Sequence, residues 1–249
     1  MITRPQWVVF GDSITQKGFS PGGWVSRLCD AYQRRIDVVN RGYSGYNTRL
    51  AKLVFPHTVA PVQHIELLTI FFGANDAALP DRTSWKQHVP VAEYKETLEE
   101  MIVRARDEVN VEHIVLMTPP PVSEPHRIQH ALDTFGITLE SSERENMYTK
   151  MYVEACKCVG EKLGVPVLDL WSIFTEHGDD WATALLNDGL HLTAQGNELV
   201  YNSLQSLIDK EFPGLTPENK PFDVPDYKSL AESDDPVDGL QSSLIRSSS

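Results

Sequence analysis

The run Ile65–Gly73, IELLTIFFG, constrains the fold more than any other stretch of the chain. Its apolar residues occupy consecutive positions instead of alternating with polar ones. Such a strand needs cover on both faces, as a central strand of a parallel sheet has. Four shorter runs accompany it: Gln6–Phe10 (QWVVF), Ile36–Asn40 (IDVVN), His113–Thr118 (HIVLMT) and Val165–Leu170 (VPVLDL). Between them the period changes to that of helices. Gly23–Arg35 spaces Trp24, Leu28, Ala31 and Tyr32 along one face, and Asn47–Phe55 suggests a short helix. Val91–Glu108 aligns Tyr94, Leu98, Met101, Ile102 and Ala105, with acids crowding its first half. Ser141–Gly164 reads as a second long helix with Gly164 at its C-cap, and Thr193–Phe212 as a last one with Thr193 at its N-cap. Strand and helix alternating five times predict an α/β fold, a parallel sheet with helices on both faces.

Composition narrows the functional classes. Of 249 residues, 41% are hydrophobic, enough for an ordinary core, and no apolar run approaches the length of a membrane helix. The net charge of −13 argues against a nucleic-acid partner, which would require clustered Lys and Arg. Cys29, Cys156 and Cys158 fit neither a disulfide framework nor a C-x-x-C site, and the opening MITRPQWVVFGDS lacks the apolar core of a secretion signal. These features predict a cytoplasmic protein with reduced thiols and no membrane insertion. From Pro213 to Ser249, Pro, Ser and Asp dominate and periodicity fades, so this part reads as an extended or disordered tail beyond a single domain over residues 1–212. Oligomeric state stays open.

In open α/β sheets, chemistry collects at the carboxyl ends of the strands. The loops there are GDSIT (11–15), NRGYSGYNTR (40–49), GANDA (73–77) and TPPP (118–121), and NDGLHLT (187–193) precedes the last helix. Ser13 stands in the first. A serine hydroxyl is a weak nucleophile unless a base takes its proton and a third group orients the base. Among eight histidines, His191 is distinguished by Asp188 three residues before it, close enough to fold back onto the imidazole. Acyl transfer also needs donors for an oxyanion. The Ser13 N–H, the N–H of Gly45, where no side chain blocks approach, and the Asn75 amide could supply them.

These four blocks, GDSIT, the Gly of RGYSGYN, the Asn of GANDA and DGLHLT, resemble in order the signature blocks of the GDSL or SGNH hydrolases, over roughly residues 7–212. GDSITQ, NRGYSGYNTR and FFGANDA are most similar to the isoamyl-acetate-hydrolysing esterase group. The resemblance implies a three-layer α/β/α sandwich with a flavodoxin-like five-stranded parallel sheet. It implies Ser13 as nucleophile and oxyanion donor, Gly45 and Asn75 as the other donors, His191 as base and Asp188 as its orienter. No cofactor is implied, and the substrate would be a small ester, acetyl or short-chain.

Other readings compete at several positions. The same Ser13, Asp188 and His191 could serve an acyltransferase or a carbohydrate acetylesterase, and the scaffold could carry a non-catalytic binding protein. A nucleotide site is disfavoured because GDSITQKGFSPGG contains neither G-x-G-x-x-G nor a P-loop lysine. No metal-ligand spacing such as H-E-x-x-H occurs. Asp12 and Asp76 read as structural acids, Arg41 and Arg49 as salt-bridge residues, and His57, His64, His113 and His177 as surface or packing residues. Trp24 and Phe72 read as core; Leu79 could shape a pocket. Pro119–Glu140, with His126 and His130, reads as a plain loop or as a wall over the site.

Overall fold

The structure, a computed structural model, describes residues 4–232 together with Asp235, Val237 and Leu240. In chain order its elements are β1 (Gln6–Gly11), α1 (Ser13–Lys17), α2 (Trp24–Ala31), β2 (Asp37–Gly42), α3 (Thr48–Thr58) and β3 (Ile65–Phe71). They continue with α4 (Val91–Asp107), β4 (His113–Met117), α5 (Glu124–Phe135), α6 (Asn146–Leu163) and β5 (Val167–Leu168). Helices α7 (Leu170–Thr175), α8 (Trp181–Leu185), α9 (Ala194–Glu211) and α10 (Tyr227–Ala231) follow. The five strands pair in parallel in the order β2-β1-β3-β4-β5. This is the flavodoxin-like order, whose direction reverses between β1 and β3.

Side-chain alternation along each strand makes two cores. Trp7 and Val9 of β1 join Leu67, Phe71, Val115 and Met117 on one face, packed by α2, α7, α8 and α9. Val8 and Phe10 join Leu68, Ile70, Ile114 and Leu116 on the other, packed by α3, α4 and α6. Each large side chain so buried contributes about 1.5–3 kcal/mol. The double burial demanded by Ile65–Gly73 is met, and three layers result. Among the described residues no helix is long and apolar enough to cross a membrane.

Several boundaries differ from the sequence reading for identifiable reasons. Thr193 caps α9 by accepting from Gly196 N at 3.0 Å, and Gly164 closes α6 in the left-handed conformation, both as expected. But α6 begins at Asn146, so Ser141–Glu145 is loop: Ser142, Glu143 and Arg144 are drawn into the interior. Strand β5 has two residues because Asp169 accepts from Ser172 N at 3.1 Å and turns the chain into α7. Pro119–Glu140 is not a plain loop, since it contains α5. That helix spaces Ile128, Ala131, Leu132 and Phe135 along one face yet buries no residue.

The segment after Pro213 follows the surface of the fold as far as Pro225, whose carbonyl accepts from Arg34 Nη2 at 3.1 Å. Leu215 is buried, Lys220 pairs with Glu66, and Arg4 meets Asp223 at 2.6 Å. Phe222 lies beneath the Arg34 and Arg35 guanidiniums at 4.5 and 4.0 Å. The end of the expected disordered tail, residues 241–249, lies outside the described residues.

Helix α1 is pressed against β2 at Gly42, where a β-carbon would stand 2.1 Å from the Gln16 backbone nitrogen. Backbone cannot yield as a side-chain tip can. Gly42→Ala is therefore expected to destabilise the protein by about 1–3 kcal/mol, the usual range for overpacking. Thermal unfolding checks this, and an unchanged melting temperature would contradict the packing described.

Candidate active site

Gly11, Gly42 and Phe71 end β1, β2 and β3 in mutual register. The three loops that follow therefore leave the sheet side by side, at the crevice where strand order reverses. Ser13 is the first residue of α1 and is 5% exposed. The capping residue is its neighbour: Asp12 Oδ1 accepts from Ile14 N at 2.9 Å. As a first-turn amide, the Ser13 N–H has no partner within its helix.

The loop between α8 and α9 brings His191 to this point. Asn187 N donates to His191 O at 2.8 Å, and Leu186 bridges Leu192, so residues 187–192 close on themselves. Asp188 Oδ1 accepts from Leu190 N and His191 N at 3.0 and 2.8 Å. Its Oδ2 faces His191 Nδ1 at 2.7 Å, and His191 Nε2 faces Ser13 Oγ at 2.9 Å. A nitrogen against a carboxylate must donate, so Nδ1 carries the proton and Nε2 is left to accept from the hydroxyl. Burial pushes the Asp188 carboxyl up, but the hydrogen bonds from His191 and the charge of Arg127 outweigh it and hold the group well below the usual carboxylate range. The carboxylate thus remains an anion able to stabilise an imidazolium.

Helix α5, missed in the sequence, braces the far side of this loop. Arg127 Nη1 donates to the Asp188 carbonyl at 3.1 Å and lies 3.4 Å from Oδ2. His130 Nε2 stands 3.9 Å from the same oxygen, and His126 Nδ1 pairs with Ser123 Oγ at 2.6 Å. A cavity of about 300 Å³ opens beside His191, walled by Ile14, Lys17, His130, Asn187 and Asn197.

The other two sequence candidates lie on the neighbouring loops. Gly45 has φ +80°, a conformation that favours glycine. The Asn75 amide is buried and donates to Tyr46 O at 2.8 Å, tying the β3 loop to the β2 loop. Ser44 N donates to Gln16 Oε1 at 2.9 Å, tying the β2 loop to α1. Only one of the two Asn75 N–H bonds is engaged by Tyr46.

Beneath these loops lie charges that are rarely buried. Arg144 is 3% exposed and Glu143 4%. They pair at 2.7 Å, and Glu143 Oε1 also accepts from Arg127 Nη2 at 2.7 Å. Burial pulls the Arg144 pKa down, opposed by Glu143. Asp12 and Asp76 are buried too, and desolvation pushes their carboxyls up to about 7 and about 6. Asp76 Oδ1 accepts from Thr48 N at 2.9 Å and from the Thr48 hydroxyl, and its Oδ2 has no partner among the described residues. Sequence reasoning singled out neither Arg127, Glu143, Arg144 nor Gln87. The one available signal was an arginine in what looked like the first turn of a helix, where cations are disfavoured.

The structural readings of other residues can be placed as well. Arg49 makes a two-bonded pair with Glu93 at 2.6 and 2.6 Å, and Arg41 Nε donates to Thr58 O at 2.8 Å. Trp24, Phe72 and Leu79 are core residues, so Leu79 does not line the cavity beside His191. His113 stacks on Phe212 at 4.7 Å, and His177 Nε2 meets Gln195 at 3.1 Å. Cys29, Cys156 and Cys158 are free thiols. No cluster of metal-ligating side chains occurs among the described residues.

The GDSL-like Lipase/Acylhydrolase family matches residues 9–199, a span that includes Ser13, Gly45, Asn75, Asp188 and His191. The chain belongs to this family. A GDSL esterase/lipase of Arabidopsis thaliana is 42% identical over 91% of this chain and 94% of its own length. The isoamyl acetate-hydrolyzing esterase 1 homolog of Bos taurus is 41% identical over 92% of this chain and 89% of its own. Among solved structures, a lipase/acylhydrolase from Enterococcus faecalis superposes with TM-score 0.64 at 27% identity, covering 83% of this chain and 96% of that one. An acetylxylan esterase from Geobacillus stearothermophilus, at 21% identity and TM-score 0.64, covers 84% and 96% and shares the fold. The α/β/α sandwich and five-stranded parallel sheet implied by the GDSL resemblance are thus present.

Burial of Asp12 has a measurable consequence. Its folded pKa lies above the unfolded value of about 4, so the associated stability is complete below that value and is lost as pH rises through about 7. Asp12→Asn keeps an acceptor for Ile14 N and cannot ionise. The melting temperature of the wild type is expected to fall more between pH 5 and 8 than that of Asp12→Asn. Parallel curves would contradict the buried-acid assignment.

Proposed function

We propose that the protein is a serine esterase that hydrolyses small carboxylic esters, acetyl or short-chain, through an acyl-enzyme on Ser13. The observation that carries this reading is the relay Ser13 Oγ, His191 Nε2, His191 Nδ1, Asp188 Oδ2, with spans of 2.9 and 2.7 Å, joining residues 178 apart in sequence. Ser13 attacks the ester carbonyl while His191 takes the hydroxyl proton and Asp188 stabilises the imidazolium. The tetrahedral oxyanion rests on the N–H groups of Ser13 and Gly45 and the free N–H of Asn75. His191 returns the proton to the departing alcohol. Water then attacks the acyl-enzyme by the same route, releasing the acid and restoring the serine. Family membership supports ester hydrolysis, and the isoamyl acetate-hydrolyzing relatives support a short acyl group. The free thiols fit the reducing cytoplasm as the compartment.

A second reading is favoured by one feature. The cavity lies on the His191 side, where the leaving alcohol must stand to receive its proton, and Lys17, Asn187 and Asn197 give it a polar wall. A sugar or other polyol as the alcohol portion, as in carbohydrate acetylesterase activity, suits that wall. Transfer of the acyl group to such an alcohol would use the same relay.

A fluorophosphonate probe is expected to label the protein and to fail on Ser13→Ala. Unlabelled, folded wild type would overturn the hydrolase reading. Asn75→Ala should lower kcat by about a hundredfold or more, the loss of one oxyanion donor being worth about 3 kcal/mol. Hydrolysis rates for alkyl and sugar acetates, with free acid and transferred ester measured separately, decide among the alcohol portions.

A further inference from the structure

Arg144 takes no part in the reaction just described, yet it touches the residues that do. Nε donates to Ala74 O at 2.9 Å and Nη1 to Glu143 Oε1 at 2.7 Å. Nη2 donates both to Asn75 Oδ1 at 3.1 Å and to Gln87 Oε1 at 2.6 Å. The Gln87 amide then donates to Gly45 O at 3.2 Å, and the Gln87 backbone carbonyl accepts from Asn47 Nδ2 at 2.8 Å.

We propose that Arg144 and Gln87 are positioning residues for the oxyanion site, the guanidinium setting Asn75 directly and Gly45 through Gln87. The proposal rests on the hydrolase reading and extends it. Three physical arguments support it. First, an asparagine amide can turn over and present its oxygen where an anion forms. A guanidinium only donates, so Arg144 accepts only the Oδ1 orientation and holds Nδ2 on the opposite side. There Tyr46 O takes one N–H and the other is left for the oxyanion. Second, a charged donor on Oδ1 polarises the amide and strengthens what Nδ2 can donate. Third, Gly45 sits at φ +80° without a side chain to brace it. Gln87 supplies that brace by holding the Gly45 carbonyl.

The choice of arginine follows from geometry. Four acceptors from two connections, β3–α4 and α5–α6, surround one planar group, and a lysine ammonium is a point charge without the fork to bridge Asn75 and Gln87. A buried cation must be paired, and Glu143 pairs it. Glu143 is itself held by Arg127, which reaches Asp188. One buried chain of charges therefore runs from the orienter of the base to the oxyanion donor.

The test measures kcat and KM on a short-chain ester for Arg144→Lys and Gln87→Met in the full chain, each alone and combined with Asn75→Ala. Alone, each should lower kcat about tenfold, a fraction of the loss for deleting a donor outright, with KM within about threefold. On top of Asn75→Ala, Arg144→Lys should cost less than about threefold more, since the residue it positions is gone. A merely structural role predicts instead that the two losses multiply. Full multiplication for Arg144→Lys, or wild-type kcat in either single variant, overturns the proposal. If Arg144→Lys does not fold, Gln87→Met, at a partly exposed position, decides through its own kcat at unchanged KM and melting temperature; its loss should persist on top of Asn75→Ala, because it holds Gly45 and not Asn75. Absence of Ser13-dependent fluorophosphonate labelling in the wild type overturns the hydrolase reading and this inference together; labelled wild type with unimpaired variants overturns this inference alone.

Discussion

Gly11, Gly42 and Phe71 finish three neighbouring strands at one level because the strands are parallel and paired in register. Parallel pairing is in turn imposed by the need to cover β1 and β3 on both faces, which only helical crossovers accomplish. The site depends on this arrangement. Residues at 13, 45 and 75 need only short loops to meet, since each lies two to four positions past a strand end. His191 alone arrives from elsewhere, on the loop that α8 and α9 hold against the same edge.

Close packing at that edge excludes water, and the electrostatics of the site follow from it. Asp12 and Asp76, buried and feeling Arg144 and Arg49 only through charge, are pushed toward the neutral form. Asp188, less deeply buried, goes the other way because His191, two backbone amides and Arg127 converge on it. The same low-dielectric surroundings that make an unpaired carboxylate costly make a paired one an effective partner for imidazolium. Charge state at this edge is therefore decided by hydrogen-bond partners more than by residue type.

Much of the fold was legible because its signals are local. Consecutive apolar residues in Ile65–Gly73 demanded two-sided burial, and the spacing of Tyr94, Leu98 and Met101 demanded a one-sided helix. Helix α5 escaped although Ile128, Ala131, Leu132 and Phe135 stand at helical spacing, because it follows the proline run 119–121 with Pro125 in its first turn and buries no residue. Ser141–Glu145 was misread because nothing in its local pattern reports that Glu143 and Arg144 are needed as a buried ion pair. In the fold Asp12 takes the cap of α1, which leaves the Ser13 hydroxyl to His191.

By itself the sequence determined the layer architecture, the strand-end position of Ser13, Gly45 and Asn75, and the local Asp188–His191 pairing, because each depends on periodicity or on neighbours a few residues apart. The tertiary structure alone decided that His191 reaches Ser13 across 178 residues and that Arg127, Glu143, Arg144 and Gln87 link the two sides of the site. Those contacts join loops from different strands. Which side chain meets which across them is set by the twist and register of the whole sheet, a property no short stretch of chain contains.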